Sequence, residues 1–148
     1  MGLYTGPAMT YTYQISGEDF ASAGAASSDI KKKLRQLGLP NPLIKRTAIA
    51  MYEAEINMVI HAGGGVTEVS IDPDRISMEF RDEGPGIPDV SLAMTEGWST
   101  ASDEARQLGF GAGMGLPNIE RNVDSLDIDT AEDRGTTVRM ILRLEGTG

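Results

Sequence analysis

Apolar and polar residues alternate over Tyr11-Thr12-Tyr13-Gln14-Ile15, which predicts a strand. The spacing then lengthens to a helical one. Phe20, Ile30, Leu34 and Leu37 supply the apolar positions of a helix over Asp19 to Leu37, stopped by Gly38 and weakest through Gly24-Ala-Ala-Ser-Ser. After Leu39-Pro40, Asn41 is placed to cap a second helix and Pro42 to occupy its first turn. Leu43, Ile44, Ala48, Ile49, Ile56, Val59 and Ile60 carry that helix to about Ala62, where Gly63-Gly64-Gly65 ends it. Two strands follow, Val66 to Ile71 and Ile76 to Arg81, joined by the turn sequence Asp72-Pro73-Asp74. From Asp82 to Gly115 the chain is rich in glycine and polar residues, with a short helical stretch near Val90 to Thr95. So long an irregular segment inside a domain predicts a functional loop or lid. A helix from Gly115 to about Val123 and strands over Leu126 to Thr130 and Thr137 to Leu144 complete the pattern.

Residues 1–10 show no periodicity and are expected to form a flexible tail, leaving one domain over 11–145. The order β-α-α-β-β-lid-α-β-β predicts an α+β fold. It is a two-layer α/β sandwich with a mixed, mostly antiparallel sheet and helices on one face.

Composition narrows the function classes. The chain has 148 residues, enough for one core, and its hydrophobic fraction of 40% is ordinary. Aromatics make up only 5%, so aliphatic side chains and the eight methionines must fill that core. A net charge of −9 repels phosphate backbones and anionic lipid surfaces, which argues against nucleic-acid and membrane partners. The absence of cysteine excludes disulfides, thiolate metal sites and cysteine nucleophiles. No apolar run approaches the roughly 20 residues of a membrane span, and Met1 to Thr10 lacks the form of a secretory signal. The expected location is the cytoplasm.

Three places depart from a plain sandwich. Glu53 and Asn57 lie four residues apart, on one face of the second helix, and His61 continues the row. On its own such a row reads first as a solvated stripe. Asp82-Glu83-Gly84-Pro85-Gly86 follows a strand directly. It reads as an acidic turn, or as a purine site offering a carboxylate to an amino group and bare backbone to the ring. Gly109, Gly111, Gly113 and Gly115 alternate with larger residues and open a helix, where backbone N–H groups and the helix dipole favour phosphate. No Gly-Lys-Ser/Thr follows, so this is not a Walker loop, and the preceding long loop does not fit a dinucleotide fingerprint.

In order and spacing, Glu53-xxx-Asn57, Asp82-x-Gly84-x-Gly86, Gly111-x-Gly113-x-Gly115 and Gly135-Thr136-Thr137 resemble the N box, glycine boxes and late Gly-Thr element of the GHKL, or Bergerat-fold, ATPases. The resemblance spans roughly Gln14 to Leu144. Gly84-Pro-Gly-Ile-Pro-Asp89, Gly97-Trp98-Ser99-Thr100 and Gly109-Phe-Gly-Ala-Gly-Met-Gly-Leu-Pro117 are similar to the anti-sigma and switch serine/threonine kinases of bacterial partner-switching systems.

That resemblance implies ATP and Mg²⁺ as cofactors. It implies Glu53 as general base and Asn57 as metal ligand. Asp82 would bind the adenine amino group, with Gly84, Gly86 and Ile87 around the ring. Ser99 and Thr100 would belong to the lid, and Gly109, Gly111, Gly113, Met114, Gly115 and Leu116 to the phosphate cradle. Thr136 or Thr137 would reach the adenine pocket. The implied activity is γ-phosphoryl transfer to a small antagonist-type, STAS-like protein. The alternative is an ATP-gated anti-sigma or regulatory binding module without kinase turnover, with a sigma factor or another regulator as partner. A homodimer is implied with either.

The lid departs from the shortest switch kinases by the insertion Ser102 to Leu108, and the first helix is unusually rich in Ala, Gly and Ser. The single histidine, His61, is expected to be structural rather than a phosphoacceptor, because the long helix pair that carries such a histidine is absent. Trp98 is expected to pack or to contact a partner, and Lys31-Lys32-Lys33 with Arg35 to form a solvated helix face.

Overall fold

The computed structural model describes residues 4, 6–16, 24–59, 64–82, 115–130 and 135–144. Within them the chain runs β1 (Met9–Ser16), α1 (Ala25–Gln36), α2 (Asn41–Asn57), β2 (Gly64–Ile71), β3 (Arg75–Asp82), α3 (Gly115–Asn122), β4 (Ser125–Thr130) and β5 (Thr136–Arg143). The strands form one sheet of order β1-β2-β3-β5-β4. All four pairings are antiparallel, so among the described strands the sheet is not mixed. The reason is connectivity. Helices α1 and α2 run out and back, so β2 starts where β1 ended, with Ser16 opposite Gly64.

The boundaries follow local chemistry. Pro40, not Asn41, is the N-cap of α2, and it offers no side-chain cap. Its carbonyl accepts from the amides of Leu43 and Ile44 instead, which places Asn41 and Pro42 inside the first turn. Between β2 and β3, Asp72 Oδ1 accepts from the amides of Asp74 (2.8 Å) and Arg75 (2.9 Å), closing the predicted turn. The expected N-terminal tail is shorter than residues 1–10. Met9 and Thr10 already belong to β1, and Tyr4 is buried in the core with its hydroxyl on the Pro7 carbonyl at 2.6 Å.

Strand alternation builds the core. Tyr11, Val69, Met78, Met140 and Leu126 stand opposite one another in a row across all five strands on the helix side. Ile71, Ile76 and Leu142 form a second row, and Thr67, Phe80 and Val138 a third. Ile30 and Leu34 of α1, Ala50, Met51 and Ala54 of α2 and Ile119 of α3 close over them. Edge strand β1 is tied to α1 by polar contacts. Tyr13 donates to Asp29 at 2.6 Å, Asp29 pairs with Lys33, and the Lys33 ammonium lies 5.2 Å from the Tyr11 ring centre. The basic run therefore divides: Lys31, Lys32 and Arg35 are solvated as expected, while Lys33 is half-buried.

The outer sheet face carries the opposite set. Glu68, Glu79, Arg139 and Asp127 align across β2, β3, β5 and β4. Arg81 reaches both Glu68 and Glu79, and Arg139 reaches both Glu79 and Asp127. The two arginines hold the Glu79 carboxyl below its ordinary range, Arg81 contributing most. Such exposed pairs add little stability, but they let a face with like charges directly opposed, Glu68 against Glu79, remain solvated and paired.

Gly65 marks a close approach. A Cβ there would lie 2.2 Å from the Arg81 carbonyl oxygen and 2.5 Å from the Met58 methyl. Gly65→Ala is expected to destabilise the protein by about 1–3 kcal/mol, because the obstructing atom is backbone and cannot rotate away. Urea unfolding would read this as a lower midpoint at unchanged slope.

Candidate functional site

Helix α2 lies between two others and presents a different carboxylate to each. Glu53 and Asn57 share one half-buried face. Glu53 Oε1 accepts from Asn118 Nδ2 of α3 at 3.2 Å. Burial pushes the Glu53 carboxyl above its ordinary pKa, and the Asn118 hydrogen bond opposes that rise. Beyond Asn57 the helix widens into a π-type turn at Met58 and Val59, a distortion that recurs at functional sites.

On the opposite face Glu55 is 2% exposed and points at α1. Its carboxylate accepts from the amides of Gly24 (2.8 Å), Ser27 (3.1 Å) and Ala26 (3.4 Å). The N-cap of α1 is Gly24, at φ 98°, with no side-chain cap of its own. Glu55 therefore caps α1 from a different helix, satisfying amide donors of its first turn. The sequence pattern missed this role. Its only signals were an acid in an apolar stretch and a helix start without a local capping side chain.

Helix α3 is docked antiparallel to α2. Asn118 meets Glu53 near its start, and Arg46 Nε donates to the Asn122 carbonyl at 3.1 Å near its end. Arg46 also reaches Asp124 at 3.2 Å, and Ile119 is fully buried beneath. The N-terminus of α3, at Gly115, thus lies toward the Asn57 end of α2.

The sheet delivers a second pair to that end. Asp82, last in β3, stands opposite Thr136, first in β5, and the Thr136 amide donates to Asp82 Oδ1 at 3.1 Å. Residues 54 apart in the chain are thereby joined. Thr137 pairs instead with Arg81, on the outer face, so of the two candidate threonines the structure brings Thr136 to Asp82. Met58 fixes where this pair lies relative to α2. Thr67 Oγ1 donates to its sulfur at 3.8 Å, and its methyl packs by Gly65, next to Val66, which pairs with Arg81.

Glu53, Asn57, the start of α3, Asp82 and Thr136 therefore gather at one end of the sandwich. A half-buried carboxylate, a carboxamide, an oriented carboxylate acceptor and a helix N-terminus are groups that can hold a nucleotide and a metal ion. Gly84, Gly86, Ile87, Ser99, Thr100, Gly109, Gly111, Gly113 and Met114 lie outside the described residues, as do His61, Trp98, the stretch 90–95 and the insertion 102–108. Gly115 and Leu116 open α3.

Residues 18–142 match the family model of the histidine kinase-like ATPase domain. The chain is 29% identical over 111 residues to the serine/threonine-protein kinase RsbT of Bacillus subtilis, covering 72% of this chain and 77% of the relative. It is 35% identical over 96 residues to the anti-sigma F factor of Caldanaerobacter subterraneus subsp. tengcongensis, covering 62% of this chain and 64% of that relative, just under two thirds of its length. In structure it is similar to the RsbU and RsbW domains of a Mycobacterium tuberculosis protein, with a TM-score of 0.63 at 16% identity over 92% of this chain and 32% of the other. That likeness concerns the fold. Among the described residues no helix is long and apolar enough to cross a membrane.

Proposed function

This chain belongs to the histidine kinase-like ATPase domain family, and from that membership we propose that it is a cytoplasmic, Mg²⁺-dependent protein serine/threonine kinase of the anti-sigma and switch type. Its substrate is a serine or threonine of a small antagonist-type, STAS-like partner protein, and it works as a homodimer. The observation that carries the reading is the convergence of Glu53, Asn57, the α3 N-terminus and the Asp82–Thr136 pair at one end of the sandwich. Similarity to a serine/threonine kinase over most of the chain supports it.

Each residue has a separate task. Asn57 offers its carboxamide oxygen to Mg²⁺, a hard cation that takes oxygen ligands. Asp82, oriented by the Thr136 amide, accepts from the adenine amino group, with Gly84, Gly86 and Ile87 beside the ring. Gly109, Gly111, Gly113, Met114, Gly115 and Leu116 cradle the phosphates at the α3 N-terminus, and Ser99 and Thr100 belong to the covering lid. Bound Mg-ATP supplies the phosphoryl group: the partner hydroxyl oxygen forms the new P–O bond, the β–γ bridging bond breaks, and ADP leaves with its electron pair. Glu53 takes the hydroxyl proton, and its raised pKa makes it a stronger base than an exposed carboxylate. Phosphoryl transfer needs mainly positioning and charge neutralisation, which this set provides.

Similarity to an anti-sigma F factor favours a second reading. There, nucleotide binding orders a surface that sequesters a sigma factor, without turnover. Acid-stable phosphoserine or phosphothreonine on the partner decides for the kinase.

Calorimetric titration of ATP with Mg²⁺ into wild type and Asn57→Ala is the direct test. Metal-dependent binding in the wild type is expected to weaken on the order of tenfold or more in the variant. A folded wild type that takes up no ATP would overturn both readings.

A further inference from the structure

Among the described residues, the donor that reaches Glu53 is Asn118. Its carboxamide is engaged at both ends. Nδ2 donates to Glu53 Oε1 at 3.2 Å, and Oδ1 accepts from Arg121 Nη1 at 3.3 Å. The Asn118 backbone carbonyl accepts from Asn122 Nδ2 at 2.7 Å, which stiffens the same turn. The orientation of the amide follows from chemistry. A guanidinium only donates, so Arg121 must face the oxygen, and a carboxylate only accepts, so Glu53 must face the nitrogen. Helix docking alone does not require this bond, because Ile119 is fully buried beneath α3 and Arg46 ties its far end.

We propose that Asn118 is a positioning residue for phosphoryl transfer: it holds the Glu53 carboxylate by Oε1, so that Oε2 is presented to the attacking hydroxyl, and it joins the base to the helix that closes the glycine run. The inference rests on the kinase reading above and adds a residue that this reading does not use. One helix then serves both ends of the reaction. Gly115 at its start belongs to the phosphate cradle, and one turn later Asn118 sets the base. Displacement of α3 would move the two together.

The test uses the full chain with Mg-ATP as ligand and water as the acceptor, read as phosphate release. Asn118→Leu keeps similar bulk and loses the donor, and Asn118→Gln keeps the carboxamide. Asn118→Leu is expected to lower turnover on the order of tenfold, with the calorimetric affinity for Mg-ATP essentially unchanged, and Asn118→Gln to recover much of that loss. In a Glu53→Gln background the same Asn118→Leu change is expected to cost nothing further, because it acts through a base already removed. In the nucleotide-free protein, Glu53→Ala is expected to shift the Asn118 side-chain amide proton resonances.

Equal losses from Asn118→Leu with the native Glu53 and in the Glu53→Gln background would make Asn118 a docking residue and overturn the proposal. So would amide resonances indifferent to Glu53→Ala. A wild type without Mg-ATP affinity is a separate outcome. It defeats the kinase reading itself, and calorimetry shows it before any variant is made.

Discussion

Glu53→Gln is expected to lower phosphoryl transfer to the partner about 10²–10⁴-fold, the range that one general base contributes. Mg-ATP affinity should hardly change, because the assigned nucleotide contacts lie with Asn57, Asp82 and the glycine run. Glutamine keeps the shape and still receives the Asn118 hydrogen bond through its carbonyl, but it cannot take a proton. The pH dependence follows from the site. Burial raises the Glu53 pKa and Asn118 only partly opposes it. A base works deprotonated, so wild-type turnover should rise with pH through a value above the usual carboxylate range, and fall on the acid side of it. That acid limb should be missing in Glu53→Gln. Turnover of phosphorylated partner measured against pH in both proteins checks this, and an identical acid limb in the variant would assign it to another group.

Removing Glu55 is expected to have the largest effect on stability. Its carboxylate is 2% exposed and receives the Gly24, Ala26 and Ser27 amides. In Glu55→Ala those donors lose an acceptor at a buried helix start, and a side-chain cavity opens between α1 and α2. The combined cost is about 3–5 kcal/mol, against a total of roughly 5–15 kcal/mol for a domain. Glu55→Gln retains one acceptor oxygen at the same place and should recover part of the loss. Chemical unfolding of the three proteins measures both steps. Glu55→Ala within about 1 kcal/mol of wild type would mean that α1 finds another cap. The two glutamates thus separate in their effects, although only Ala54 stands between them. One should change rate without stability, the other stability first.

The elements themselves were legible because their cause is local. The alternation of Val66 to Ile71 and Ile76 to Arg81 places Thr67, Val69, Ile71, Ile76, Met78 and Phe80 on one face, and those residues are the buried ones. Where boundaries moved, the reason was also local. Pro40 caps α2 through its carbonyl, which a preference for Asn, Ser or Asp side chains does not detect. Tyr4 stands between Gly2 and Gly6 in a stretch without a period, which predicts a tail, yet its ring is buried in the core.

By itself the sequence determined the strands and helices, the shared face of Glu53 and Asn57, and the family resemblance. The first two depend on residues close in the chain, where a period of 2.0 or 3.6 already states which side chains lie together, and the resemblance rests on the order and spacing of its short motifs. The tertiary structure alone decided which threonine meets Asp82, that Asn118 holds Glu53 across 65 residues, and that Glu55 serves a different helix from its own. Those contacts join residues from 28 to 65 positions apart, where no local period reaches. Strand register chooses Thr136 over Thr137, since a shift of one residue turns a side chain to the other face. Helix docking chooses Asn118 and Glu55, since α2 has two flanks and only the packed neighbours settle which polar group each flank meets.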